Sequence, residues 1–395
     1  MENFQEEQAS EKNDFVFTEV SPRKKHGKLH IPRRMRNAVL LWILVTVVSL
    51  TLILVIGVTV FSLSGKYSLI SNTQSAVPNL TSFTTEESSS IPEDTPSQDY
   101  VWKEGWIRYN GKIYEYNSDI MTFLIMGIDK LTPVKAAEDA TDGGQSDGLF
   151  LAVANPDDKT VKVIAVNRDT MVDVYMYGFE QDGVTPVVTA QITVQHGFGD
   201  GLEQSCEATV AAVSKLFYDL PISGYAAINM GAVGDLTDAV GGVDLYVLED
   251  MVEISDDWTA GTYIHLKGKL AYDYVHYRDI TVFESARNRL ARQKQFLSQF
   301  IAKAKESIKQ DITLTIRLYN LLDKYMVTSI TANQATYLAT QLIDYSFDGE
   351  DIYTLEGTTV SGERFEEFYP DEEALKELML QIFYREINLE EYSSQ

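Results

Sequence analysis

The chain has 395 residues, with 58 acidic and 33 basic side chains and a formal net charge of −25. So acidic a surface argues against nucleic acid as a partner, because phosphate backbones are held by clustered Lys and Arg. The only cysteine, Cys206, excludes an intrachain disulfide, so any folded domain must stand on its apolar core.

Residues 1–37 are polar and lack periodicity, the profile of a disordered basic tail. Seven of the tail's eight Lys and Arg fall between Arg23 and Arg36, in a stretch without an acid. Six acids also lie in the tail, so the rest of the chain carries 52 acidic against 25 basic residues. Ala38 to Leu63 follows, 26 residues without a charge. About 20 apolar residues suffice to cross a bilayer, so this run predicts a transmembrane helix over 38–63. It is too long and begins too late for a signal peptide. Positive charge ahead of the span predicts a cytoplasmic N-terminus and an extracellular C-terminal domain at the cell membrane. Residues 64–99, with SFTTEESSSIPEDTPSQ, predict a flexible tether.

A folded domain is expected over 100–388, with 389–395 as a short tail. WIRYNGKIYEYN predicts a hairpin turning at Asn110-Gly111. MTFLIMGID, GLFLAVANP and VKVIAVNRD predict buried strands, the last two as a hairpin. EQSCEATVAAVSKLFYDLP has helical spacing and stops before Pro221. GYAAINM and VDLYVLED predict strands, with a helix over MGAVGDLTDAVGG between them. KGKLAYDYVHYR, ESARNRLARQKQFLSQFIAKAKES, NQATYLATQLIDYSF and EEALKELMLQIFYREI predict helices. The class is α/β, a mixed central sheet covered by helices.

Two sets of polar residues stand out. Asp129, Asp147 and Arg168-Asp169 lie at strand ends, where α/β folds gather their sites. Asp129 and Asp147 can share a hard cation such as Mg²⁺, although acids at strand ends also cap turns. Further on come His276, Arg278, Arg287, Arg289, Arg292 and Gln293. Arg289, Arg292 and Gln293 share a helix face, whereas Arg287 points elsewhere. Guanidinium forks suit phosphate oxygens, and a solvated basic face is the competing account.

The segments TFLIMGID, QSDGLFLAVANPDDKTVKVIAVNRDTMV, QITVQHGFGDG, DAVGGVDLYV, GKLAYDYVHYR and RNRLARQKQFL occur in an order and spacing that resemble the LytR–CpsA–Psr family. These are wall-polymer ligases of bacteria with a Gram-positive type of envelope. The resemblance runs from about Trp106 to Ile387 and implies an α-β-α domain. It implies a Mg²⁺- or Mn²⁺-dependent enzyme that transfers a glycopolymer from a polyprenyl-pyrophosphate carrier to peptidoglycan as a phosphodiester. Asp129 and Asp147 would hold the metal. Arg168, Arg278 and Arg289 would clamp the pyrophosphate, beside Arg292, Gln293 and His276, and Asp169 would orient Arg168. The lipid would lie in an apolar tunnel between sheet and helices.

Several positions depart from the family pattern. Gln145 and His276 stand where Arg is usual, Gln191 replaces a Lys and His196 a common Tyr. Ala286 replaces an Asp that can serve as base, which leaves Glu284 as the nearest acid for that task. His276 near neutral pH can carry a replacement charge. The alternative function is a non-catalytic module that binds polyprenyl-pyrophosphate lipid and regulates wall assembly or transcription. Glu284 and His276 separate the two: in the reacting pocket they favour the enzyme, facing solvent the binding module.

Overall fold

The computed structural model describes residues 63–69, 77–80, 103 and 105–388, except 280, 312, 343 and 348. The tail 1–37, all of the expected span but Leu63, and residues 389–395 lie outside the described residues. Among the described residues no helix is long and apolar enough to cross a membrane.

At the centre is a six-stranded sheet. Its strands are β3 (Met121–Ile128), β4 (Ser146–Asn155), β5 (Thr160–Val166), β8 (Gly224–Asn229), β11 (Met326–Thr328) and β12 (Ile352–Thr354), in the order β11-β8-β3-β4-β5-β12. β3 pairs parallel with β8 and antiparallel with β4, so the sheet is mixed. Successive strand residues point to opposite faces, and both faces are apolar here. Leu124, Met126, Leu149, Leu151 and Ile164 pack beneath α1 (Glu203–Leu216) and α7 (Glu372–Phe383). Phe123, Phe150, Val163 and Ala165 pack on the other side, below α6 (Ala332–Leu342) and α4 (Ser285–Gln310). The expected helix-covered sheet is therefore present, as three layers.

The expected hairpin is formed by β1 (Trp106–Tyr109) and β2 (Lys112–Tyr116), with Asn110 and Gly111 both at positive φ, as its tight turn requires. Helices α2 (Ala232–Ala239) and α3 (Gly268–His276) pack with β9 (Val243–Tyr246) and β10 (Tyr263–Leu266) around a second core. Tyr274 is buried in that core, and His265 sits on the exposed sheet surface beside Asp244.

Three segments differ from expectation. EEALKELMLQIFYREI is not helical throughout: α7 stops at Phe383, and β15 (Tyr384–Ile387) pairs antiparallel with β2. Phe383 is fully buried, and the chain turns from helix to strand directly after it. The tether is not free throughout 64–99. Residues 63–69 are helical, Leu69 is buried against Tyr337 and Leu338, and Leu80 joins the main core. Third, α5 (Leu314–Asp323) and the hairpins β6 (Met171–Tyr175)–β7 (Val187–Gln191) and β13 (Gly357–Ser361)–β14 (Glu366–Pro370) are elements beyond those expected.

The loop leading into β4 is pinned from below. His196, in the 3-10 turn Ile192–Gly197, is buried; its Nδ1 lies 3.1 Å from the Gly143 carbonyl and 3.2 Å from that of Gly144. Two carbonyls can only accept, so Nδ1 carries the proton and donates, and Nε2 faces the Cys206 thiol at 3.7 Å. Burial pushes the His196 pKa below its ordinary 6.5 and the Cys206 thiol up to about 12. A lowered histidine pKa means that the unfolded chain takes up the proton first. Stability from this site is thus complete above about pH 6.5 and is lost as pH falls below it. We expect His196→Gln to be less stable than the parent at about pH 7.5, with the gap in unfolding midpoint narrowing toward pH 5. A gap that does not change with pH would overturn this account of the loop.

Candidate functional site

The site forms where β3 and β5 end and β4 begins. Between Gly127 and Ile128 the β3–β4 register slips, and Asp147 is the extra residue of the resulting β-bulge. A bulge re-aims the side chain it carries, and Asp147 becomes a hub. Its Oδ1 accepts from Arg168, just beyond β5, and its Oδ2 accepts from Arg289 of α4 at 3.0 Å. Arg168 also donates to the Gln145 side chain. Asp129, next to β3, accepts the Gln145 N–H at 2.7 Å. Gly144 makes that approach possible: at φ +86°, a Cβ there would stand 2.7 Å from Ile128 and 3.0 Å from the Asp129 carboxylate.

Asp169 is almost fully buried. Its Oδ1 accepts from Gln191 at 2.8 Å and lies 3.6 Å from Arg168. Its Oδ2 lies 3.6 Å from Arg278. Arg278 donates to Ser285 and, at 2.9 Å, to Glu366. The three arginines expected to converge do so, around Asp147 and Asp169.

The electrostatics fit so crowded a site. Burial pushes the Asp169 carboxyl above the usual range, with the arginines opposing. Burial also raises Asp129, and the negative charge of Asp147 adds to it. Arg289 is lowered to about 10 by burial, with Asp147 opposing. His276 stacks on Tyr272, ring centroids 4.8 Å apart, within the fields of Asp147, Arg289 and Asp129. Burial holds its pKa below 6.5, so the expected replacement charge is corrected: His276 is a neutral wall of the site near pH 7.

Two expected residues lie elsewhere. Arg292 is buried, but it bonds Glu249 and the carbonyls of Tyr274 and Tyr277, tying α4 to α3. Three helical residues turn a side chain by about 300°, which leaves Arg292 about 60° round from Arg289. It is a structural tie outside the clamp. Glu284 starts α4 in the left-handed region at φ 60°, and its carboxylate lies 3.8 Å from exposed Arg287, not beside the three arginines. It lines a separate cavity of about 1040 Å³ between α4 and the β13–β14 hairpin.

Glu366 was not legible in the sequence. One oxygen accepts from Arg278 and the other from the Glu284 N–H at 2.7 Å. It lies in an acid-rich strand, EEFYP, that resembles any solvated edge. Gln191 stood out as a departure; its place, bridging Asp169 and the Glu366 carbonyl, did not.

Among the described residues, buried side-chain atoms without a hydrogen-bond partner concentrate here: Arg168 Nε, Asp169 Oδ2, Arg289 Nη2 and Gln293 Oε1. The arginine donors retain capacity for an anion's oxygens. From Gln293 the face of α4 continues through Leu297 and Ile301 to Lys305. With Phe150, Val163 and Phe347 it lines an almost wholly apolar cavity of about 220 Å³. No group of three or more His, Cys, Asp or Glu among the described residues is arranged for a metal. Asp129 and Asp147 lie within each other's field, with both Asp147 oxygens held by arginines and an Asp129 oxygen held by the Gln145 N–H.

A model of the LytR_cpsA_psr family matches residues 76–381. The polyisoprenyl-teichoic acid–peptidoglycan teichoic acid transferase TagU of Bacillus cereus is 27% identical over 220 residues, 55% of this chain and 62% of that protein. TagU of Enterococcus faecalis is 27% identical over 165 residues, 41% of this chain and 48% of that protein. The chain thus spans less than two thirds of these relatives' length. Among solved structures, B. subtilis TagV aligns with a TM-score of 0.51 at 23% identity, covering 67% of this chain and 96% of that one. Protein gbs0355 of Streptococcus agalactiae aligns at 0.53 and 19%, covering 67% and 87%. With the family match spanning most of the folded domain, the chain belongs to the LytR_cpsA_psr family.

Proposed function

We propose that this chain transfers a glycopolymer from a polyprenyl-pyrophosphate carrier to peptidoglycan, forming a phosphodiester on the outer face of the cell membrane. The observation that carries the reading is an arginine cluster with unspent donors, joined along α4 to the Leu297 and Ile301 side chains that line an apolar cavity. A pyrophosphate joined to a hydrocarbon chain needs both features side by side. Relatives named as teichoic acid transferases point the same way.

Charge supports a divalent cation as cofactor. Three guanidinium groups face four carboxylates: Asp129, Asp147, Asp169 and Glu366. Such a site repels pyrophosphate until a cation joins it. Mg²⁺ or Mn²⁺ held by Asp129 and Asp147 would supply positive charge at the phosphate oxygens. Arg168, Arg278 and Arg289 bind the remaining oxygens, and Asp169 keeps Arg168 and Arg278 turned inward. An acceptor hydroxyl oxygen bonds to the sugar-linked phosphorus as the bridging P–O bond breaks. Polyprenyl phosphate leaves with that bond's electrons, and the hydroxyl proton passes to Glu284, which lines the large cavity beside α4. No ATP is consumed, since the broken pyrophosphate bond drives the step.

His276, half-buried in the field of Asp147, favours the enzyme over the non-catalytic binding module, whereas Glu284 lines a separate cavity and does not decide between them. The decisive assay combines lipid-linked oligosaccharide with peptidoglycan fragments. We expect polymer–peptidoglycan product with Mg²⁺ and none with chelator. Lipid binding without product under every metal condition would favour the binding module.

Variants separate the roles. Glu284→Gln and Arg289→Lys should each lower transfer by about 10²–10³-fold with little change in unfolding temperature. Arg292→Ala should instead destabilise the fold by about 3 kcal/mol, because Glu249 and two carbonyls lose their donor. Equal thermal loss in Arg289→Lys and Arg292→Ala would refute the division. For topology, protease added to intact protoplasts should digest the domain beyond residue 64 and spare the basic tail. A protected C-terminal domain would reverse the orientation.

A further inference from the structure

We propose that the large cavity beside α4 is a docking site for an uncharged glycan strand, the acceptor of the transfer reaction. The proposal rests on the transferase reading and adds to it where the acceptor binds and by what chemistry. Four acids, Glu284, Glu356, Asp371 and Glu372, line the cavity against two bases, Arg287 and Lys294. An excess of carboxylates repels a polymer that carries phosphates, so the donor's own chain is disfavoured. Sugar hydroxyls donate to carboxylates and gain from the same lining. Thr358 and Thr359 offer further hydroxyls, and half-exposed Tyr369 presents an aromatic ring on which the apolar face of a sugar can lie. At about 1040 Å³ the cavity lies at the upper end of the size of small-molecule pockets, so it has room for more than one ring. The apolar cavity, by contrast, offers a hydroxylated chain few partners beyond Lys305 and Tyr345.

Position ties the cavity to the reacting groups. Asn167, on its wall, precedes Arg168, and Glu284 is held through its N–H by Glu366, the partner of Arg278. The hairpin bearing Tyr369 is fixed to the same strand end: the Phe368 N–H donates to the Asp169 carbonyl at 2.9 Å. A glycan lying against Tyr369 therefore approaches the arginine cluster from the side away from the lipid channel. Leu290, Val163 and Ala165 form an apolar partition between the two.

The test uses the full chain in detergent and a short neutral oligomer of N-acetylated hexosamines. Binding is measured directly without donor, and acceptor KM is measured separately in the transfer assay. Tyr369→Ala should weaken oligomer binding and raise acceptor KM about tenfold, with kcat and donor KM near the parent's. Tyr369→Phe, which keeps the ring, should restore both. A parent that does not bind the oligomer, or an alanine variant that binds it equally well, overturns the proposal whatever the transfer assay gives. So does a phosphate-containing polymer that competes with the oligomer. Tyr369-dependent binding with no transfer by the parent would support the glycan site and count against the transferase reading.

Discussion

Asp147 is the point on which the site's geometry depends. Neutralising it would leave Arg168 and Arg289 as like charges at close range, Arg289 deeply buried, with desolvation already pulling its pKa down. Buried ion pairs contribute little net stability, because desolvation offsets the attraction. Their value here lies in geometry. One carboxylate on a bulge fixes the end of β5 and the first turns of α4 to the start of β4. Arg168 and Arg289, two of the three arginines of the cluster, are carried by the end of β5 and by α4.

The second acid, Asp169, works differently. It is more deeply enclosed, has one oxygen without a hydrogen bond and stands at ion-pair rather than hydrogen-bond distance from two arginines. Glu366 and Gln191 fill the gaps around it. Gln191 holds Asp169 without adding charge, so the pocket is less positive than it would be with the family's lysine.

Much of this was legible in the sequence. Runs such as MTFLIMGI and TVKVIAV are apolar on both faces of a strand, so their burial and the polar residues at their ends were readable. Asp129, Asp147, Arg168, Arg278 and Arg289 were visible as charges interrupting such runs or standing out in an acidic chain. What was not readable depends on contacts far apart in sequence. The bulge at Asp147 has no composition of its own, and Glu366 meets Arg278 across 88 positions. Arg292 looked like Arg289 because helical spacing gives only a face, and two neighbouring stripes of α4 are buried against different partners. YREI failed as a helix because its partner strand, β2, lies at the other end of the domain.

Helix α4 runs for 26 residues without a glycine or proline. At 1.5 Å per residue it is a rod of roughly 39 Å with no hinge along it. Glu284 and Arg289 sit at one end, and Leu297 and Ile301 line the channel further along. A rod of this kind tilts as a whole more readily than it bends. One unbroken rod thus fixes the spacing between Arg289 in the arginine cluster and Ile301 in the apolar cavity.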